Sequence, residues 1–470
     1  MSLQDCEVET GAWRDRLIFG SLLVLIGVAA VPLGSIGPWW EGIFESVIFM
    51  LGAFSVTTII GNQWRVPFIL APFGALAVLA CLQVLPLGRD SVGLGLLPAP
   101  YRTLSLNPFE TKRFVIELLA AALTLAMLLR FTLSRRQLLN LAHLVIIVGA
   151  ASAALAFWRR LLPDTSLALL WNYELHGGGF GQFINRNHFA LLMEMSLGPT
   201  LSLGFYAGSG ARRFLYFAIA LWIWLALVLA NSRGGIISMM GQLAFLSWIY
   251  LGPVLGRSLF DYQSSSHQLA VHWFWRISRT LALRCALILF LLGTVSAGVV
   301  WLGGEPVRQR FQSVPGEFLA RSDDLQNQNP RRLEIWAATW RLIESRPFLG
   351  SGLGAYKTAV AQYLESHGDW QPQQAHDEYL ELGAGGGIVG GAIGIWFLLT
   401  LIRESRKRLM DNDRLRRAVC QGALVGLVGV AIHSLVDFGL HVLANTLICC
   451  CLIALATAQV HSSPIENPVR

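Results

Sequence analysis

Four polar residues stand directly before an apolar segment in the stretch AHDEYLELGAGGG: His376, Asp377, Glu378 and Tyr379. Histidine is the usual general base near neutral pH, and a neighbouring carboxylate can orient it or raise its basicity. His376 and Tyr379 are three residues apart, so they share one face if a helix has begun there. We therefore predict that His376 is a catalytic base. A solvated loop histidine is the alternative.

A second candidate lies in GGGFGQFINRNHFA, where Asn185, Arg186 and His188 precede an apolar run. Polar residues at the start of a helix can simply cap it. Arginine and histidine add donors that capping does not require, and the arginine fork matches phosphate oxygens. We predict a phosphate or sugar contact at the membrane surface.

A third candidate is Arg233 in ANSRGG, between two apolar runs that are together too long for one helix. A plain hairpin turn would explain the two glycines. An arginine at membrane depth is costly, and a turn does not need one. A helix that begins near Gly234 would also offer free backbone donors to an anion. The pattern favours an anion-binding role.

The fourth candidate is RRLEIWAATWRLIESRP, which predicts an amphipathic helix that ends at Pro347. Its apolar positions at helical spacing are Leu333, Trp336, Trp340 and Ile343. An interfacial helix with its tryptophans at the headgroup level is the simplest interpretation. The arginines off that face are the functional candidates: Arg331, Arg332 and Arg341. In the following GSGLGAYKTAV, Tyr356 or Lys357 is predicted to line a cleft.

Metal chemistry is not predicted. No cysteine or second histidine near His376 has zinc-ligand spacing, and the acids there are too far apart for a Mg²⁺ site. His433, Asp437 and His441 are four residues apart and would share one face of a continuous helix. A polar cluster inside the membrane or beside the same cavity is favoured over a metal site. We expect no cofactor.

The elements that must position these residues are apolar. The 470 residues are 54% hydrophobic and 14% charged, which indicates an all-α polytopic membrane protein and not a soluble domain. A membrane span needs about 20 apolar residues. By that measure there are about twelve candidate transmembrane helices, near residues 17–34, 43–60, 67–87, 114–131, 137–158, 187–207, 213–231, 235–255, 281–302, 384–402, 418–436 and 440–459.

The distribution of arginines predicts the orientation. The run RESRKRLMDNDRLRR at 403–417 is the strongest cytoplasmic signal, and it places both termini inside. The net charge of +7 therefore needs no nucleic acid to explain it. The predicted organisation is helices 1 to 9 in residues 1–302, a periplasmic helical loop at 303–383, and helices 10 to 12 with a cytoplasmic tail in 384–470. The candidate arginines then lie on the outer side, against the usual bias.

These motifs together resemble the O-antigen ligase and O-antigen (exopolysaccharide) polymerase superfamily. The shared features are an R…W…P-x-x-G-x-G segment, an H-[ND]-x-Y-L segment, NRNHFA and SRGG, in an order that covers roughly 95–460. The resemblance implies a metal-independent, inverting glycosyltransferase of the membrane-embedded GT-C type in the bacterial inner membrane. The donor would be a glycan on undecaprenyl pyrophosphate, presented at the periplasmic face. The acceptor would be lipid A core for a ligase or another lipid-linked repeat for a polymerase.

The resemblance also implies residue roles. Arg186, Arg233 and one of Arg331 and Arg332 would hold the pyrophosphate, and His376 would take the place of the essential loop histidine. The remaining substrate contacts would be Asn185, His188, Arg341, Asp377 and Tyr379. Family members often have Asn where this chain has Asp377. The alternatives are a small-anion (bicarbonate-like) transporter, whose site should lie near the midplane on broken helices, and a lipid flippase with charges in many spans.

Overall fold

The computed structural model describes residues 3–59, 66–89, 101–161, 179–261, 332–364 and 372–460, and it is helical throughout these ranges apart from two short strands. The N-terminal helices are α1 (Leu3–Ala29), α2 (Pro38–Ile59), α3 (Ala71–Gln83), α4 (Pro108–Phe131), α5 (Arg135–Leu161), α6 (Arg186–Tyr206), α7 (Gly210–Leu229) and α8 (Arg233–Asp261). The C-terminal helices are α9 (Arg332–Ser345), α10 (Tyr356–Val360), α11 (Glu378–Leu409), α12 (Arg414–His433) and α13 (Leu443–Thr457).

The minor elements are short. Among the described residues, 3-10 helices lie at Leu33–Ser35, Phe68–Leu70, Ala361–Tyr363 and Gly439–His441. The strands β1 (Gly88–Arg89) and β2 (Tyr101–Arg102) form one antiparallel pair. Helix therefore carries almost all of the described architecture, as the composition predicts.

Within the described ranges, six helices are long and apolar enough to cross a membrane: Pro38–Val56 of α2, then α4, α5, α7, α11 and α12. Phe68–Gln83 and α13 are shorter apolar helices. A helix lies at every predicted apolar segment that falls in the described residues. The predicted segment 281–302, the first part of the long loop and Arg331 lie outside them. The chain is thus a helical membrane protein.

The chain divides into two compact units. Unit 1 comprises Met1–Val148, Pro315–Cys420 and Ser434–Arg470. Unit 2 comprises Gly149–Val314 and Gln421–His433. Helices α9 and α10 of the predicted long loop pack within unit 1, where Ala338, Leu342, Tyr356, Ala359 and Ala375 form a buried cluster.

Helix α9 is present where the amphipathic pattern predicts a helix, but a different face packs against the protein. Its buried residues are Ile335, Ala338, Thr339 and Leu342, whereas Leu333 and Trp340 are exposed. Small side chains allow close approach, and the Thr339 hydroxyl lies 2.6 Å from the hydroxyl of Tyr356. Tyr356 is 2% exposed, which leaves Lys357 as the candidate of the two to line a cleft. Lys357 is exposed.

Helix α11 is broken at Gly387, whose φ of 60° and ψ of −155° are not helical. The P-x-x-G-x-G segment fills this break. The amides of Ile388 and Val389 donate to the carbonyls of Pro347 and Phe348 at 2.7 and 3.2 Å. The amide of Gly352 donates to the carbonyl of Gly385 at 3.1 Å. The glycine-rich segment is therefore a backbone plug for the break.

A side chain from α3 completes the plug. The side-chain Nε2 of Gln83 donates to the backbone carbonyls of Leu349 and Gly385 at 2.6 and 2.8 Å. The side-chain Oε1 of Gln83 accepts from the backbone amide of Leu353 at 2.9 Å. Gln83 is completely buried. A buried amide with these partners is satisfied on both its donor and its acceptor side. The break is thus held by three segments of unit 1.

Replacing Gly387 with alanine is expected to destabilise unit 1 by about 2 kcal/mol or more, because few other residues tolerate this conformation. The added Cβ would also lie 2.5 Å from the carbonyl group of Phe348. Gly391→Ala in the same helix is the matched control, since a Cβ there meets nothing within 4 Å. Thermal unfolding of the detergent-solubilised protein measures both. Equal midpoints for the two variants would contradict the plug.

Arg416 shows that the basic run at 403–417 also has a structural part. The side chain is 2% exposed, and its guanidinium donates to the carbonyls of Leu455, Ala456 and Ala458 at 2.8, 3.2 and 2.8 Å. These carbonyls belong to the last turn of α13 and to its C-cap residue Ala458, and they have no partner further along the helix. Arg416 therefore caps the C-terminus of α13.

Candidate active site

His376 pairs with Asp437 in unit 1. The imidazole Nδ1 lies 3.3 Å from the Asp437 Oδ1, and the ring of Phe438 packs edge-on against it with centroids 4.8 Å apart. The His376 side chain is 28% exposed, whereas the Asp437 side chain is 1% exposed. A carboxylate can only accept, so the pair places the proton on Nδ1 and leaves the Nε2 lone pair available. A half-exposed histidine oriented in this way is equipped to act as a base.

The backbone at His376 has a φ of 53°. A positive φ is uncommon for residues other than glycine, although asparagine, aspartate and histidine adopt it more often than the rest. Non-glycine residues in such conformations persist where the surrounding structure imposes them, and they are concentrated at functional sites. The conformation therefore adds to the evidence that His376 is a specialised position.

Helix α12 ends at His433, so His433, Asp437 and His441 do not share one helical face. In unit 2, Nδ1 of His433 lies 2.8 Å from Glu194 Oε1, and both side chains are buried. In unit 1, Asp437 pairs with His376 and His441 lies beside two glutamates of α11. The single cluster predicted from the spacing is thus divided among three different sets of partners.

Asp377 caps helix α11. Its Oδ1 accepts from the amides of Tyr379 and Leu380 at 2.9 and 3.0 Å. Burial raises the pKa of the Asp377 carboxyl, and the two amide bonds partly offset this. Asparagine and aspartate cap helices about equally well, which gives a physical reason for either residue after the histidine. The cap also explains why α11 begins earlier than the predicted start at 384. Tyr379 is 49% exposed.

The two predicted anion motifs meet in unit 2. Asn185 caps α6 by accepting from the amide of Asn187 at 2.9 Å. Ser232 accepts from the amide of Gly235 at 3.1 Å in the first turn of α8. The Ser232 hydroxyl donates to Asn187 Oδ1 at 2.9 Å, which joins the starts of the two helices. The sequence motifs are therefore two halves of one local structure.

Arg186 and Arg233 are the first residues of α6 and α8, and both are half-buried. Each helix N-terminus carries a partial positive charge and backbone donors that are not used within the helix. Each of these two helices begins with an arginine, and one hydrogen bond joins their first turns. Together they concentrate positive charge at this position. Chemically, this arrangement is suited to a phosphate or pyrophosphate group.

His188 lies deeper than predicted. It is 2% exposed, and its Nε2 is 3.4 Å from the amide nitrogen of Asn185. This position favours support of the Asn185 cap over direct contact with a substrate. On α9 in unit 1, Arg332 and Arg341 are both exposed.

The partnership of Asp437 with His376 is the functional feature that sequence reasoning missed. The two residues are 61 positions apart, and neither a spacing rule nor a motif links them. The available signal was an acid inside an apolar stretch, which is rare enough to indicate function. Sequence reasoning also missed the role of the Ser232 hydroxyl, since its only signal in the sequence is its position next to Arg233.

The comparisons with known proteins agree with these motifs. No curated protein matches the chain. The family model described as O-antigen ligase matches residues 218–395, which include the start of α8, helix α9 and the His376 segment. Asn185, Arg186 and Asp437 lie beyond the matched segment. The predicted resemblance is thereby confirmed for this segment: residues 218–395 of this helical membrane protein match the O-antigen ligase family model.

Proposed function

We propose that the protein transfers a glycan from undecaprenyl pyrophosphate to a hydroxyl group of an acceptor glycan. The acceptor is lipid A core or another lipid-linked repeat, and the reaction is metal-independent and inverting. The observation that carries the proposal is the His376–Asp437 pair, with Nδ1 and Oδ1 3.3 Å apart. Such a base has a clear role in this reaction, because the acceptor hydroxyl must lose its proton when it attacks the sugar.

In the proposed step, Nε2 of His376 takes the proton from the acceptor hydroxyl. The acceptor oxygen then forms a bond to the anomeric carbon while the bond from that carbon to the phosphate oxygen breaks. Undecaprenyl pyrophosphate leaves with the bonding electron pair, and attack from the opposite side inverts the anomeric centre. The buried Asp437 stabilises the imidazolium that results.

The leaving pyrophosphate needs compensation for its developing charge. Arg186 and Arg233, at the joined starts of α6 and α8, supply two cations and two helix N-termini for this purpose. Of the two arginines proposed from the long loop, Arg332 begins α9. Arginines in these roles would replace the divalent metal of many soluble transferases.

The proposed setting follows the arginine distribution. About twelve transmembrane helices of a GT-C-type fold would place both termini in the cytoplasm, and the loop between helices 9 and 10 would face the periplasm of a bacterial inner membrane. Residues 303–383 would then carry His376 to the face where lipid-linked glycans are presented.

The alternative of an anion transporter predicts a site on broken helices. The break at Gly387 is the feature closest to this description. Its backbone groups bond to the Pro347–Gly352 segment and to Gln83, so they are engaged by the protein itself. This use of the break favours the transferase.

The direct test uses the purified full-length protein in lipid nanodiscs with undecaprenyl-pyrophosphate glycan. Each acceptor is offered separately, and products are resolved by chain length. Transfer to lipid A core identifies a ligase, and extension of a lipid-linked repeat identifies a polymerase. Absence of transfer with both acceptors, together with anion flux in sealed vesicles, would overturn the proposal.

Replacing Arg233 with lysine is expected to lower transfer about ten- to a hundredfold. Lysine keeps the charge, but it loses the paired donors that fit phosphate oxygens. The effect should fall mainly on the KM for the pyrophosphate donor if ground-state contact dominates, and on kcat if the contact strengthens as charge develops.

Arg212→Lys is the matched control for this change, because Arg212 is an exposed arginine in the first turn of α7. It should retain full activity. A fully active Arg233→Lys protein would instead support the plain turn interpretation of ANSRGG.

A further inference from the structure

The residue before His376 is held on both sides of its backbone. The amide of Ala375 donates to Glu381 Oε2 at 2.9 Å, and its carbonyl accepts from the indole Nε1 of Trp336 at 3.0 Å. Ala375 itself is completely buried. These contacts fix the peptide groups on either side of Ala375, including the one that leads into the left-handed residue His376.

A second glutamate holds the segment that carries Asp437. The carboxylate of Glu378 accepts from the amide of Leu440 at 3.2 Å, and the amide of Glu378 donates to the carbonyl of Ser434 at 2.9 Å. The two contacts lie on either side of Asp437 along the chain. The first turn of α11 thus forms hydrogen bonds with both the segment that carries His376 and the segment that carries Asp437.

His441 lies between the two glutamates. Its Nε2 is 3.3 Å from Glu378 Oε2 and 3.5 Å from Glu381 Oε1. The two carboxylates beside Nε2 favour the protonated form of the imidazole.

With carboxylate oxygens 3.3 and 3.5 Å from its Nε2, His441 is placed to act as a cation and not as a base. A cation at this place neutralises one of two neighbouring carboxylates. Without it, Glu378 and Glu381 would repel each other in the first turn of α11.

We propose that Trp336, Glu378, Glu381 and His441 form a support cluster that positions the His376–Asp437 pair for proton transfer. The inference rests on the proposed function and deepens it, because these four residues act through His376 and do not contact the substrate. The tryptophan at 336 is then a positioning residue and not an interfacial anchor. Its indole holds the backbone carbonyl of Ala375 in place.

The test compares two tryptophans of α9, of which Trp336 donates to the Ala375 carbonyl and Trp340 does not. Trp336→Phe keeps an aromatic ring and removes the donor to Ala375. Trp340→Phe is the matched control, since the Trp340 indole donates to the exposed Glu344 of the same helix at 2.7 Å. We expect Trp336→Phe to lower kcat about ten- to a hundredfold with little change in donor KM, because small misplacements of a catalytic group have effects of this size. Trp340→Phe should match the unmodified protein.

Glu381→Gln and Glu381→Ala test the second contact of Ala375, the hydrogen bond from its amide to Glu381. Glutamine keeps an oxygen for the Ala375 amide but loses the charge beside His441, so it should retain more activity than alanine. This graded rescue, seen in kcat at unchanged thermal midpoint, is not expected from a general loss of folding. Wild-type kcat in both Trp336→Phe and Glu381→Ala, alongside an inactive His376 variant, would overturn the support cluster alone. Full activity of the His376 variant would overturn the proposed base instead.

Discussion

Replacing His376 with asparagine or alanine is expected to lower glycan transfer by about 10²- to 10⁴-fold, the usual contribution of a general base. Asparagine is the sharper variant, because it tolerates the left-handed backbone at φ 53° and has no base of suitable pKa. Alanine tests the same chemistry with added backbone strain. Initial rates with undecaprenyl-pyrophosphate glycan measure the effect.

The control for both variants is His143→Ala, which removes a half-buried histidine of α5 that has no proposed role. Membrane insertion and elution from size exclusion should be the same for all three proteins. A His376→Asn protein with unchanged rates would show that the proton leaves by another route, and the assignment of the base would be wrong.

Replacing Asp437 with asparagine is expected to lower transfer by about 10²- to 10⁴-fold, although the two side chains have nearly the same shape. The Asp437 carboxylate accepts a hydrogen bond from the protonated Nδ1 of His376. An amide can instead donate to Nδ1, which would place the ring proton on Nε2, where the acceptor hydroxyl must deliver its own. The loss should appear in kcat, since Asp437 is 1% exposed and does not bind the donor.

The matched control is Asp413→Asn, at a partly exposed cap whose Oδ1 accepts from the amide of Leu415 at 2.9 Å. Asparagine serves this role equally well, so activity should be unchanged. If Asp437→Asn retained the unmodified kcat, the pair with His376 would be a structural contact and no more.

The helices were predictable because a membrane leaves few types of secondary structure for a long apolar segment. Backbone groups in lipid must be satisfied within the segment, so long apolar runs have helix as their main solution. The start of α11 needed more than the apolar pattern. Asp377 begins the helix while the sequence is still polar, and only its cap geometry reveals this. The packed face of α9 was missed for a similar reason: Ala338 and Thr339 are weak signals beside two tryptophans.

The site was predictable where charge contrasts with its surroundings. Arg186, Arg233 and His376 stand out because apolar segments follow them directly. Their partners were not predictable, since Asp437 reaches His376 across 61 residues and Ser232 reaches Asn187 across 45. Such contacts depend on how helices pack. The sequence determines how the helices pack, but local patterns in one sequence do not reveal which residues meet.

The backbone plug of α11 also has a consequence for the order of synthesis. Gln83 is translated early, but its partners at Leu349 and Gly385 follow 266 and 302 residues later. Until then, α3 carries an amide whose final acceptors do not yet exist. Chains that stop short of Gly385 would keep this polar group available inside an apolar helix. The plug around Gln83 can therefore close only after the chain has been synthesised through Gly385.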